Sequence, residues 1–409
     1  MRRARLVAFV LLAALALLAG CVSTPAPRVS LAQVPAAQQA RAARNVRVFE
    51  AVWSLVADKH YDPKLRGVDW PAAGAKFGAE AAAAPDEKAL YASLNAMVEL
   101  LEESHTHALT PAQAQERRTR LRARTGFNAS KLEGRWVVAE VLEGSPAALA
   151  GVKPGWIITA RNGVPIGERL DFRPREGEVA EWGFLDERDQ PVTLALAART
   201  LSTAPRQVVR ELPGGLVYLR FDGFDGKDRR WLSEQLKAHR DAPGVVIDLR
   251  RNPGGETFSL GITIGEFFRH RVDCGQFISR DGDGSRKHSF QLGSARYAGQ
   301  VAVLVDGATA SAAEIFAAVM QECGRATVIG RKTAGAVLAS RFHGLPDGGE
   351  LQLSQEDYVT PKGRRLEGAG VEPAVPTTRT LADFRAGRDP DLDAAVRALT
   401  ALPPARANP

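Results

Sequence analysis

Cysteine is scarce in this chain of 409 residues: there are three, Cys21, Cys274 and Cys323. That excludes a disulfide-stapled scaffold, and the two beyond the N-terminal region cannot by themselves make a zinc site. Cys274 and Cys323 are readable either as a pair or as two free thiols. Aromatic residues are sparse at 7%, and no basic block alternates with them. The excess of Lys and Arg (54) over Asp and Glu (47) gives +7, or about +4 without Arg2, Arg3 and Arg5. Such a scattered, modest charge leaves nucleic-acid binding unsupported. After the N-terminal segment there is no apolar run long enough to span a membrane. No residue cluster calls for a cofactor or a metal. What remains is an ordinary globular composition, 45% apolar and 25% charged, long enough for two or three domains with sizeable cores.

The N-terminus reads as an export signal: three arginines, then an apolar run from Leu6 to Gly20. It ends in Leu18-Ala19-Gly20-Cys21, which resembles the lipobox of bacterial lipoproteins. That resemblance implies a signal peptide over 1–21 and a lipid anchor on Cys21. A Ser/Thr/Pro/Ala-rich tether follows over 22–43. Val22, in place of aspartate, leans the expected location towards the periplasmic side of the outer membrane.

Over 44–110 the apolar spacing is helical: Val48, Val52, Leu55 and Val56, then Leu90, Leu94, Met97, Val98 and Leu101. The polar residues 111–124 read as a solvated linker. From 122 to 200 the pattern alternates with period two. Trp136–Leu142 is predicted as a strand, Gly144–Val152 as a turn into a short helix, and Asn162-Gly163 as a hairpin turn. The wording Gly144-Ser145-Pro146-Ala147-Ala148-Leu149-Ala150-Gly151-Val152 with Lys153-Pro154-Gly155 and Asn162-Gly163 resembles a PDZ domain of the bacterial protease-associated kind. Such a domain binds a chain end as an added strand beside a helix. Two departures stand out. Trp156 replaces a usual acidic residue, and Gly126-Phe127-Asn128 differs from the usual carboxylate-loop wording.

From 205 to 385 strands alternate with helices, which indicates an α/β core with a parallel component. A last amphipathic helix and a tail fill 386–409. Two stretches of the core carry chemistry. Gly244–Arg250 is a buried strand that ends in Arg251-Asn252-Pro253-Gly254-Gly255. Val301–Val305 is a second strand, followed by a turn and Ser311-Ala312-Ala313-Glu314, the wording of a capping box. Ser311 is therefore either a helix cap or a nucleophile whose helix end favours a developing oxyanion.

Together these motifs resemble the tail-specific or C-terminal processing peptidases. These are serine proteases with a helical N-terminal part, an inserted PDZ domain and a crotonase-like (ClpP/crotonase) α/β core, an α/β or α+β multidomain fold. The resemblance implies Ser311 as nucleophile, and Gly254, Gly255 and the Ala312 amide as the oxyanion hole. It also implies a peptide or unfolded-protein substrate in the cell envelope. The family's general-base lysine, 25 residues after the serine, is absent. Its position is Ala336, the following glutamine position is Ser340, and Lys332 would need a different loop path. Tricorn-type relatives use a histidine from the segment before the PDZ domain instead. Glu103-Ser104-His105-Thr106 matches that place, and Leu366-Glu367-Gly368 matches the stretch that completes the relay. The expected set is Ser311, His105 as base, and Glu367 acting through Ser104. The alternatives are the same protease with Lys332 as base, or a catalytically silent PDZ peptide-binding lipoprotein.

Overall fold

The computed structural model describes residues 26–32, 34–168, 170, 172–290 and 296–401. The export signal, Cys21 and the start of the tether lie outside the described residues. The chain divides into two units. One holds residues 1–111, 279–283 and 340–356, and the other holds the rest.

The larger unit is built on a six-stranded sheet, whose strands we label in chain order: β1 Gln207–Glu211, β2 Val217–Phe221, β3 Gly244–Asp248, β4 Gln300–Val305, β5 Thr327–Gly330 and β6 Val375–Pro376. They lie side by side in that order. β2 to β6 are parallel, and β1 runs antiparallel to β2 at the edge. Side chains alternate across a strand. Val301, Val303 and Val305 therefore pack beneath α1 Gly226–Ala238, α2 Thr257–Gly265 and α3 Ala312–Glu322. Ala302 and Leu304 point the other way, to Ala394, Ala395 and Leu399 of α4 Pro390–Ala401. Two covered faces explain why β4 reads as an unbroken apolar run. The loops at the carboxyl ends of β3 and β4 open where ligands bind in sheets of this kind.

A second sheet in this unit joins Phe127–Leu132, Arg135–Val141, Ile157–Arg161, Val179–Leu185 and Pro191–Ala197. Its core is Val138, Ile158, Trp182, Phe184 and Leu196. Asn162 and Gly163 both take positive φ (51° and 74°), as a tight two-residue hairpin turn requires. Trp156 is a core residue, 7% exposed, with its indole N–H donated to Glu187 at 2.8 Å. The sheet rests on the short helix Leu381–Arg385. Leu381 packs with Val137 and Ile157, and the Arg385 guanidinium reaches the Asp186 carbonyl (3.0 Å) and the Asp189 carboxylate (2.6 Å). Between Gly163 and Val179 no helix occurs among the described residues, so the helical wall of a PDZ groove is missing there.

Residues 111–124 are not a linker. Pro111–Thr119 is a helix, and Leu121–Arg124 pairs antiparallel with Arg199–Ser202. The helix buries only Ala114, so its sequence carries no apolar stripe. The thiols of Cys274 and Cys323 are both free, the first buried and the second exposed.

In the smaller unit, helices Gln39–Lys59, Trp70–Ala83 and Glu87–Val98 share a core with Leu345, Leu351 and Leu353. Trp53 and Trp70 exchange indole N–H bonds with each other's carbonyls at 3.0 and 3.1 Å, satisfying two buried donors. The strand His107–Leu109 then pairs antiparallel, with His107 opposite Gln352 and Leu109 opposite Glu350.

Candidate active site

The loops after β3 and β4 are sewn together before Ser311 is reached. The Asp306 carboxylate accepts from the Arg251 and Ala308 amides, each at 3.0 Å. Thr309 donates its hydroxyl to the Leu249 carbonyl at 2.8 Å, and the Ala310 amide donates to the Asn252 carbonyl at 3.0 Å. α3 starts directly afterwards, so Ser311 stands at its N-terminus.

Ser311 has φ 55° and ψ −124°. A helix cap normally sits in the β region. Asp86, Ser145, Asp225 and Thr380, the capping residues of four other helices, have φ between −151° and −74°. Capping therefore does not require the conformation of Ser311. A non-glycine residue held this way costs about 1–3 kcal/mol and persists only where its surroundings over-determine it. Sharp strained turns between a strand and a helix are how hydrolases expose a serine Oγ.

The surroundings do over-determine it. The Ser311 N–H is shared by the Ala336 carbonyl at 2.7 Å and the Glu314 carboxylate at 3.2 Å. Glu314 is fully buried and also accepts from the amides of Gly335 (2.7 Å) and Ala336 (2.8 Å) and from the Thr333 hydroxyl. Burial raises its titration above the ordinary carboxylate range, although these donors work against the shift. A carboxylate saturated by four donors is a clamp between α3 and the loop 333–337. It has no lone pair to spare as a base.

Gly254 lies against the same serine. A Cβ there would come within 2.7 Å of both the Ser311 Cβ and the Ala312 nitrogen, and φ is +95°. The loop is pinned by Asn252, whose buried side chain accepts from the Gly254 amide and donates to the Phe221 carbonyl, both at 2.8 Å. It is also zipped to Phe224, through Phe224 N–H to Gly254 O (2.9 Å) and Glu256 N–H to Phe224 O (2.7 Å). The Gly254 N–H is therefore already used. The amides of Gly255 and Ala312 have no acceptor among the described residues. The Ala312 amide, at a helix N-terminus, lies beside Gly254, where an anion is favoured.

Known proteins match on the same segments. Residues 215–377 match the model of peptidase family S41, and residues 43–99 match the tricorn protease C1 domain. The chain carries a peptidase family S41 domain over residues 215–377. It is 28% identical over 392 residues to a protein of Streptomyces coelicolor named tricorn protease homolog 2, covering 86% of this chain and 32% of that one. It is 27% identical over 350 residues to the carboxyl-terminal-processing protease of Synechocystis sp., covering 81% of both. The chain thus spans about a third of the length of the first relative and most of the second. The solved photosystem II D1 C-terminal processing protease shares the fold. Its TM-score is 0.58 at 21% identity, covering 87% of this chain and 97% of that one. S41 relatives of this kind are serine-type peptidases.

Against the S41 pattern, Ala336 sits where the lysine is expected. Its backbone touches Ser311 and Glu314, but its side chain has nothing to titrate. Lys332 is more than half exposed and pairs with Glu372 at 3.2 Å. Glu367 is 9% exposed and accepts from the Val337 amide at 2.9 Å. The Gly368 amide next to it donates to the Gly335 carbonyl at 2.8 Å, so Glu367 is held on the loop that grips Ser311. In the smaller unit, the Ser104 hydroxyl and His105 Nδ1 are 2.6 Å apart, a contact that orients the ring and that either tautomer can make, since a hydroxyl donates or accepts. The clamp role of Glu314 was visible in the sequence only as half of a capping box. Asn252 gave no signal beyond a turn.

Proposed function

We propose that this chain is a serine endopeptidase that cleaves peptide bonds of envelope proteins or peptides, with Ser311 as nucleophile. The strained backbone of Ser311, set against the Gly254–Gly255 loop, carries the reading. Attack on the scissile carbonyl places negative charge on its oxygen, and the Gly255 and Ala312 amides stabilise it. One such donor contributes on the order of 3 kcal/mol in the transition state. His105 is the general base that takes the Ser311 proton and returns it to the leaving amine. Ser104 holds its Nδ1 and Glu367 completes the relay. Supporting this choice, Ala336 offers no base and Lys332 is ion-paired at the surface. We further propose that Cys21 is the lipidated first residue of the mature protein, facing the periplasm, and that the second sheet receives peptide segments as an added edge strand without the helix that flanks a PDZ groove.

The test is Ser311→Ala in the full chain against an unfolded-protein substrate, beside a serine-directed fluorophosphonate. We expect no turnover by the variant and labelling of the unsubstituted protein at Ser311. An unlabelled protein with unchanged background hydrolysis would mean a silent peptide-binding module.

A further inference from the structure

His60 has no place in the proposed reaction, yet it is fully buried, with its Nε2 unpartnered. It faces another buried orphan, Oε1 of Glu103, at 3.9 Å. The second oxygen of Glu103 is busy: it accepts from the His105 amide at 2.6 Å and from the Ser354 hydroxyl at 2.9 Å. The Ser354 amide in turn donates to the Thr106 hydroxyl at 3.2 Å. Just before this turn, Glu102 is left-handed (φ 48°, ψ 46°). A single carboxylate therefore holds the backbone that presents Ser104 and His105.

His60 faces that carboxylate with a choice of tautomer. Its Nδ1 lies 3.2 Å from both the amide and the carbonyl of Asp62, so either neutral tautomer finds a backbone partner. Only one of them suits Glu103. With the proton on Nε2, an N–H faces the carboxylate and Nδ1 accepts from the Asp62 amide. With the proton on Nδ1, a lone pair would face the lone pairs of a buried carboxyl oxygen, which is unfavourable. The groups around the ring are Glu103, Asp62 and Arg280, the last donating to the His60 carbonyl at 2.9 Å.

We propose that Glu103 is a buried positioning residue for His105, and that neutral His60, as the Nε2–H tautomer, turns its N–H towards the Glu103 oxygen that no other group among the described residues reaches. This rests on His105 being the base. Glu103 is not a catalytic residue, because it acts through the backbone of His105.

The experiment is nitrogen-15 histidine NMR on the full chain, with kcat/KM profiles for Glu103→Gln and Glu103→Ala. We expect His60 as neutral Nε2–H at neutral pH. In Glu103→Gln the carboxamide turns its NH₂ towards the ring, and His60 should switch to the Nδ1–H tautomer. Loss of positioning in Glu103→Ala should lower kcat/KM on the order of a hundredfold. Glu103→Gln, which keeps an acceptor for the His105 amide, should recover most of that. A His60 tautomer unchanged by Glu103→Gln, or full activity in Glu103→Ala, overturns the inference alone. Full activity in His105→Ala overturns the base assignment and the inference with it. Should Glu103→Ala not fold, Glu103→Gln still carries both readouts.

Discussion

Gly254 is the residue where sterics and chemistry meet most directly. Its φ of +95° and the two 2.7 Å approaches leave no room for a methyl group, since the obstacles are the Ala312 nitrogen and the Ser311 Cβ. Gly254→Ala should therefore cost roughly 1–3 kcal/mol of stability from backbone strain alone. By displacing the oxyanion donors it should also lower kcat about a hundredfold or more. Paired urea melts and peptidase assays check both. His60 carries a pH effect of its own. Burial pushes its titration below the ordinary histidine value of 6.5, so the folded chain binds fewer protons than the unfolded chain in the window beneath that value. Its contribution is present above about pH 6.5 and is lost as pH falls through the window. Urea midpoints at a series of pH values should show that slope, and His60→Gln should remove this component of it.

At the scale of elements, the clamp at Glu314 joins α3 to the loop 333–337 and, through Gly335, to the Glu367 segment. Glu314→Ala would leave the Gly335 and Ala336 amides and the Thr333 hydroxyl without this acceptor, while the Ser311 N–H keeps the Ala336 carbonyl. It should cost at least about 3 kcal/mol, because each orphaned donor carries a desolvation penalty. Amide exchange should accelerate first at Gly335–Val337. The strands, the turn after β4 and the start of α3 were legible in the sequence because each is written locally, as apolar runs, Asp-Gly and a capping pattern. The positive φ of Ser311 was not. It is imposed by Ala336 O and Glu314, contacts that no local pattern records. The helix Pro111–Thr119 was missed for the opposite reason, since it buries almost nothing and has no periodicity to read.

On the scale of the whole molecule, the α/β fold class was readable because strands and helices alternate along residues 205–385. The seating of the second sheet was not readable, for it depends on Arg385, a residue with no motif around it. That side chain bonds the Asp186 carbonyl and the Asp189 carboxylate, and its backbone lies 3.2 Å from where a Cβ on Gly155 would be. Arg385→Ala should loosen the sheet without unfolding it. The expected result is faster limited proteolysis between residues 122 and 205, with the main thermal transition shifted by only a few degrees. A surface-type ion pair contributes little to global stability, about 1 kcal/mol or less.

The twisted backbone at Ser311 also sets the protein's fitness for work against its robustness. A glycine at 311 would relax a conformation that serine tolerates poorly, and it would remove the hydroxyl in the same step. Ser311→Gly should therefore be inert yet melt above Ser311→Ala, which keeps the strain. Any drift at this position that favours durability would lead towards a dead enzyme. Retention of serine here is a cost in stability that only turnover can offset.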